Sequence, residues 1–69
     1  MTAHLIAANR SDLEVGLGFL RISKQISDMG ETRQTRGVYV ATVRLTKPFK
    51  EVADTISARF GHFVQLRRP

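Results

Sequence analysis

The segment over residues 48–60 constrains the fold more than any other, because all of its local signals predict one helix. Its apolar residues recur at spacings of three and four and form one stripe: Phe49, Val52, Ala53, Ile56 and Phe60. Pro48 suits the first helical position, where its missing N–H costs nothing. Glu51 lies in the first turn and Arg59 in the last, where both charges favour the helix dipole. Because Gly61 can adopt the left-handed conformation that ends a helix, we expect the helix to stop there.

Strands are predicted on both sides of this helix. Residues 37–47 are rich in β-branched and aromatic side chains, which fit a pleated sheet. Residues 62–68 alternate as a short final strand should. Residues 5–8 are predicted to form an edge strand, and the polar, glycine-containing residues 27–37 are predicted to form a loop.

Residues 11–29 admit two interpretations. Ser11 and Glu14 have the spacing of a helix capping box, and apolar residues with helical spacing follow them. Against a helix, Gly16 and Gly18 together cost about 2 kcal/mol relative to alanine, and the apolar residues around them alternate as in a strand. We favour a long, bulged strand that forms a hairpin with the next one. The alternative is a second helix, which would give the order β-α-β-α-β.

Either interpretation gives an α+β fold in a single basic domain that spans residues 1–69. We expect a small antiparallel or mixed sheet of three or four strands, with helix 48–60 packed on one face. An N-terminal segment lying over the other face is the alternative to an uncovered sheet.

An uncovered sheet face would have an unusual composition for a small monomer. If Tyr39, Val43 and Leu45 face the helix, alternation along the strands sends another set to the opposite face: Val38, Val40, Thr42, Arg44, Phe63, Gln65 and Arg67. Apolar patches of this kind are often binding surfaces. We therefore expect Val38, Val40 and Phe63 to form an apolar partner face.

The positive charge is concentrated in the second half of the chain. Residues 1–32 carry three basic and four acidic side chains, whereas residues 33–69 carry eight basic and two acidic ones. Such asymmetry suits a polyanion, an anionic membrane surface or an acidic protein patch. The candidate contacts are five arginines and two lysines, a ratio that favours bidentate binding of phosphate or carboxylate: Arg33, Arg36, Arg44, Lys47, Lys50, Arg67 and Arg68.

No pattern in the sequence predicts catalysis, a metal site or a cofactor. His4 and His62 have no cysteine partners and no ligand spacing around them. Glu51 and Asp54 lie one turn apart on the predicted helix, where solvated carboxylates aid solubility and lack the cleft that acid–base chemistry needs. Residues 16–21 begin like a dinucleotide-binding fingerprint but have arginine in place of the third glycine. We therefore expect a protein that is not an enzyme.

The absence of cysteine and of long apolar runs limits the cellular compartments in which the protein is expected. A short secreted domain usually needs disulfides, and this chain has no cysteine. No apolar run approaches the roughly 20 residues of a membrane span. We expect a soluble, unprocessed cytoplasmic protein that does not bind membranes.

These observations favour a small regulatory protein that binds DNA or RNA through its basic C-terminal half. The alternative is an inhibitor or adaptor, of the type found in phages and mobile elements, that binds an acidic patch on a host protein through the apolar and basic sheet face. A homodimer is compatible with both. A helix-turn-helix over residues 49–68 is less favoured, because its second helix would be short and rich in β-favouring residues.

Overall fold

Four strands and two helices alternate in the order β-α-β-β-α-β in the computed structural model, which describes residues 1–69. The elements are β1 (Thr2–Ala7), α1 (Arg10–Ile22), β2 (Ile26–Thr35), β3 (Val38–Leu45), α2 (Phe49–Phe60) and β4 (Val64–Arg67). The α+β class is confirmed, and the sheet is four-stranded and entirely antiparallel. Neither helix is long and apolar enough to cross a membrane.

The strand order in the sheet is β2-β3-β1-β4, so β3 and β1 are the central strands. β1 and β2 run parallel to each other with β3 between them, and β3 and β4 run parallel with β1 between them. The chain therefore contains two interleaved split β-α-β units, the arrangement called ferredoxin-like. Each helix connects the two parallel strands of its unit.

Both helices pack on the same face of the sheet, because their buried side chains belong to one core cluster. The cluster combines residues from α1, α2 and all four strands: Ala3, Leu5, Ala7, Leu13, Leu17, Leu20, Ile26, Ala41, Val43, Leu45, Val52, Ile56 and Val64. Phe19 and Phe60 close it between the helices with an edge-to-face contact of 5.8 Å between ring centroids. The opposite face of the sheet receives no helix.

The favoured interpretation of residues 11–29 as a strand is wrong, because a helix covers residues 10–22. Its N-cap is Asn9, whose Oδ1 accepts a hydrogen bond from the backbone N–H of Asp12 at 2.8 Å. The N-cap therefore lies two residues before Ser11, where the capping-box spacing predicts it.

The surroundings of Gly16 explain why the helix tolerates this one of the two glycines that argued against it. Gly16 is buried where α1 crosses the sheet, and a Cβ at this position would lie 3.1 Å from Val64 Cγ1 and 3.3 Å from Leu5 Cδ2. The missing side chain lets the helix lie close to β1 and β4. This close packing offsets the low helix propensity of glycine.

The predicted loop over residues 27–37 is also wrong, since most of it belongs to β2. Nine of the ten β2 residues are exposed, so the strand lacks the alternating pattern of a half-buried strand. Two register irregularities interrupt its pairing with β3. Arg36 and Gly37 form the turn of the hairpin, with φ of 48° and 80°, as two-residue hairpin turns require.

The remaining boundaries differ less from the predictions. The strand predicted at residues 5–8 covers residues 2–7 and lies inside the sheet instead of at its edge. The predicted C-terminal helix is confirmed, with Pro48 as its N-cap and Gly61 at φ of 61° after its end. The last strand is confirmed over Val64–Arg67, which excludes a helix-turn-helix in this part of the chain.

Candidate functional site

Neither helix covers the sheet face opposite the core, because α1 and α2 both pack on the other side. Directly opposite residues in antiparallel strands have their side chains on the same face, so the register defines this surface, called the open face below. It comprises Thr2, His4, Ile6, Asp28, Arg33, Thr35, Val38, Val40, Thr42, Arg44, Gln65 and Arg67. None of these residues belongs to the core cluster, but Val40 at the centre of the face is only 8% exposed.

One row of paired residues crosses all four strands of the open face. Val40 on β3 is opposite both Arg33 on β2 and Ile6 on β1. Ile6 is in turn opposite Gln65 on β4. The row therefore has an apolar centre between polar ends, and it spans three strand spacings, or roughly 14 Å.

The next row places polar side chains beside this apolar centre. His4 on β1 is opposite Thr42 on β3 and Arg67 on β4. The Oγ1 of Thr42 lies 3.4 Å from Nδ1 of His4. One row further, Arg44 is opposite Thr2 and Asp28. Asp28 is the one carboxylate among the paired residues of the open face, against three arginines.

Phe63 lies at the end of the open face, immediately before β4. Its side chain is 70% exposed. Together with Ile6, Val38, Gln65 and Arg67 it lines a depression of about 390 Å³ at the end of the central strands. The predicted apolar residues Val38 and Phe63 therefore meet in one place, and Val40 lies beside them in the sheet.

The arginines of the open face make no ion pair. The two ion pairs of the protein join Arg10 to Glu14 and Lys47 to Glu51, both at the start of a helix. Arg67 instead donates hydrogen bonds from Nε and Nη2 to Oε1 of Gln65, at 3.3 and 3.0 Å. These bonds orient its guanidinium group and leave three N–H donors free.

The predicted basic residues do not form one surface. Arg33, Arg44 and Arg67 lie on the open face, and Arg36 lies at the tip of the β2–β3 hairpin. The other three are placed with α2: Lys47 pairs with Glu51 at 3.7 Å, Lys50 lies in the first turn, and the Arg68 guanidinium stacks 4.5 Å from the Phe49 ring centroid.

His4 and Ile6 are open-face residues that the sequence prediction missed. The predicted edge strand covers residues 5–8 alone, whereas β1 covers Thr2–Ala7 and is central in the sheet. The signal that could have found them is a period of two: Ala3, Leu5 and Ala7 are apolar and alternate with His4 and Ile6. This period predicts a strand with His4 and Ile6 on one face.

The excess positive charge of the protein lies outside the two helices. Together α1 and α2 carry four basic and four acidic side chains, so the helical layer is neutral. The formal net charge of +5 therefore comes from the strands, the loops and the C-terminal residues. Anions are attracted to the sheet side of the molecule and to its loops.

No protein-family model, curated protein or solved structure matches this chain. Its arrangement of helices and strands occurs with many unrelated functions. The composition of the open face is therefore the feature from which a function can be inferred.

Proposed function

We propose that this chain is a small, non-enzymatic regulatory protein that binds nucleic acid across the open face of its sheet. The observation that supports this most is the placement of Arg33, Arg44 and Arg67 on one sheet face, where none of the three forms an ion pair. Arginine side chains that form no internal ion pair are available for an external anion.

The chemistry of the open face suits phosphates better than it suits a small anionic ligand. The three arginines lie on three different strands, so they are spread over the sheet instead of converging on one point. A guanidinium group binds phosphate in a bidentate manner. Arginines spaced apart in this way match the repeated charges of a backbone, and binding gains free energy from released counterions.

The proposed binding surface includes only some of the basic residues of the C-terminal half. Lys47, Lys50 and Arg68 are engaged with α2 or lie on it, away from the open face. They add to the long-range attraction of anions but do not contact the bound strand in this proposal. This division gives a matched pair of variants with equal loss of charge.

The first variant combines Arg33→Gln, Arg44→Gln and Arg67→Gln, and the control combines Lys47→Gln, Lys50→Gln and Arg68→Gln. Each exposed contact with phosphate contributes up to about 1 kcal/mol, so the open-face variant should bind roughly 10- to 100-fold more weakly. The control should lose less than about threefold, because it changes only distant charge. Fluorescence anisotropy with labelled, mixed-sequence DNA and RNA at about 50 mM salt measures both.

Two results would contradict the proposal. Equal weakening in the two variants would mean that net charge, and not the open face, determines binding. If the unmodified protein binds neither DNA nor RNA at low salt, nucleic acid is not its ligand. The search would then turn to an acidic patch on a protein partner.

A further inference from the structure

We infer that the open face takes single-stranded nucleic acid, with one unpaired base stacked on the ring of Phe63. This inference rests on the proposed function and specifies the form of its ligand. It starts from the position of one exposed aromatic ring at the end of an arginine-bearing sheet.

The backbone holds Phe63 firmly although its ring is exposed. The N–H of Gly61 donates to the carbonyl of Ser57 at 2.9 Å, and the N–H of Phe63 donates to the carbonyl of Phe60 at 3.2 Å. Val64, the next residue, is fully buried in the core. The ring is therefore presented from a fixed turn while 70% of its side chain remains accessible.

The residues around the ring include apolar side chains for the face of a base and polar side chains for its edge. The depression beside Phe63 is lined by Ile6 and Val38, which supply apolar contact, and by Gln65 and Arg67. Its volume of about 390 Å³ lies within the range of small-ligand sites. Gln65 has free amide N–H groups for a base edge, and Arg67 keeps three free N–H groups for an adjoining phosphate.

An exposed aromatic ring next to an arginine favours a single strand over a duplex. The bases of a duplex are stacked on each other and present no ring face to a protein, whereas single strands bind to aromatic side chains and a basic groove. The central strands carry Ile6, His4, Val40 and Thr42 where a sheet with several stacking sites would carry aromatic residues. The open face therefore provides one stacking site.

The test compares the unmodified protein with Phe63→Ala and Phe63→Trp on labelled strands of roughly 12 nucleotides, as DNA, as RNA and as duplex. The single strands should bind more tightly than the duplex. Phe63→Ala should weaken single-strand binding about 5- to 150-fold, as expected for the loss of one base–aromatic stack, and Phe63→Trp should retain it. Duplex binding should be unchanged in both variants.

Two controls separate stacking from general effects. Ile22→Ala removes a similarly exposed apolar side chain, 86% accessible, from α1 and should leave binding unchanged. A strand of the same length with abasic sites keeps its phosphates but has no ring to stack. Phe63→Ala should therefore have no effect on the affinity for the abasic strand.

The outcomes distinguish this inference from the proposed function. If the protein binds duplex as tightly as single strands, or if Phe63→Ala weakens abasic and base-bearing strands equally, the stacking inference is wrong while nucleic-acid binding stands. If no polymer binds, the proposed function itself is wrong. Preference for either single strand over duplex, lost in Phe63→Ala and kept in Phe63→Trp, supports the inference.

Discussion

Gly16 and Gly18 lie two residues apart in α1 and have different surroundings. A Cβ at Gly16 would press against Val64 and Leu5, which are both fully buried, whereas a Cβ at Gly18 would have no heavy atom within 4 Å. The two positions carry the same backbone cost in a helix, about 1 kcal/mol each relative to alanine. They differ in that only the missing side chain of Gly16 allows the helix to pack closely on the sheet.

Alanine substitutions at these positions should therefore change stability in opposite directions. Gly18→Ala should raise the free energy of unfolding by about 0.5–1 kcal/mol, because it gains helix propensity at no steric cost. Gly16→Ala should lower it by about 1 kcal/mol, because overpacking against two core side chains exceeds the gain in propensity. Urea unfolding monitored by circular dichroism measures both. An equal stabilisation would show that the contact of α1 with β4 is loose.

At the scale of elements, the hairpin of β2 and β3 contains a residue in an unfavourable backbone conformation. Arg36 has φ of 48° and Gly37 has φ of 80°. A non-glycine residue with positive φ costs roughly 1–2 kcal/mol, and asparagine tolerates it better than arginine does. The first turn position therefore carries a basic side chain at some expense of stability.

Arg36→Asn should stabilise the hairpin for this reason. We expect the free energy of unfolding to rise by about 0.5–1 kcal/mol, since the asparagine–glycine pair suits a two-residue hairpin turn. Gly37→Ala is the matched variant and should destabilise by about 1 kcal/mol, because alanine does not favour a φ of 80°. Thermal and urea unfolding of the two variants check the opposite signs. A destabilising Arg36→Asn would mean that Arg36 makes contacts that outweigh its backbone cost.

An element whose local signals all agree could be predicted, whereas β2 and the central position of β1 depend on distant pairing and could not. In α2 the apolar stripe, the dipole charges and the terminal glycine all lie within its own residues. In β2 only Ile26 is buried, so the strand exists because β3 pairs with it and not because of its own pattern. The central position of β1 likewise follows from its pairing with β3 and β4, which no local window contains.

At the scale of the molecule, the candidate site was predictable to the extent that it depends on alternation. The alternation in β3 and β4 placed Val40, Arg44 and Arg67 on one face before the fold was known, and the register agrees. No such alternation predicts whether a basic residue in a loop or a helix lies near the open face. Lys50 and Arg68 could be separated from the open face only after the packing of α2 was known.

The neutral helical layer and the basic sheet side lead to a prediction about salt dependence. Single-strand binding loses affinity with a slope of about −0.7 in log–log form for each phosphate that is neutralised. Contact by Arg33, Arg44 and Arg67 therefore gives a slope near −2, or roughly a 20-fold loss between about 50 and 200 mM salt. Arg44→Gln should reduce the slope to about −1.4, whereas Lys50→Gln should leave it unchanged. A slope near −4 or steeper, reduced equally by both substitutions, would mean that the strand contacts the helix side as well, because only then would a lysine on α2 neutralise a phosphate.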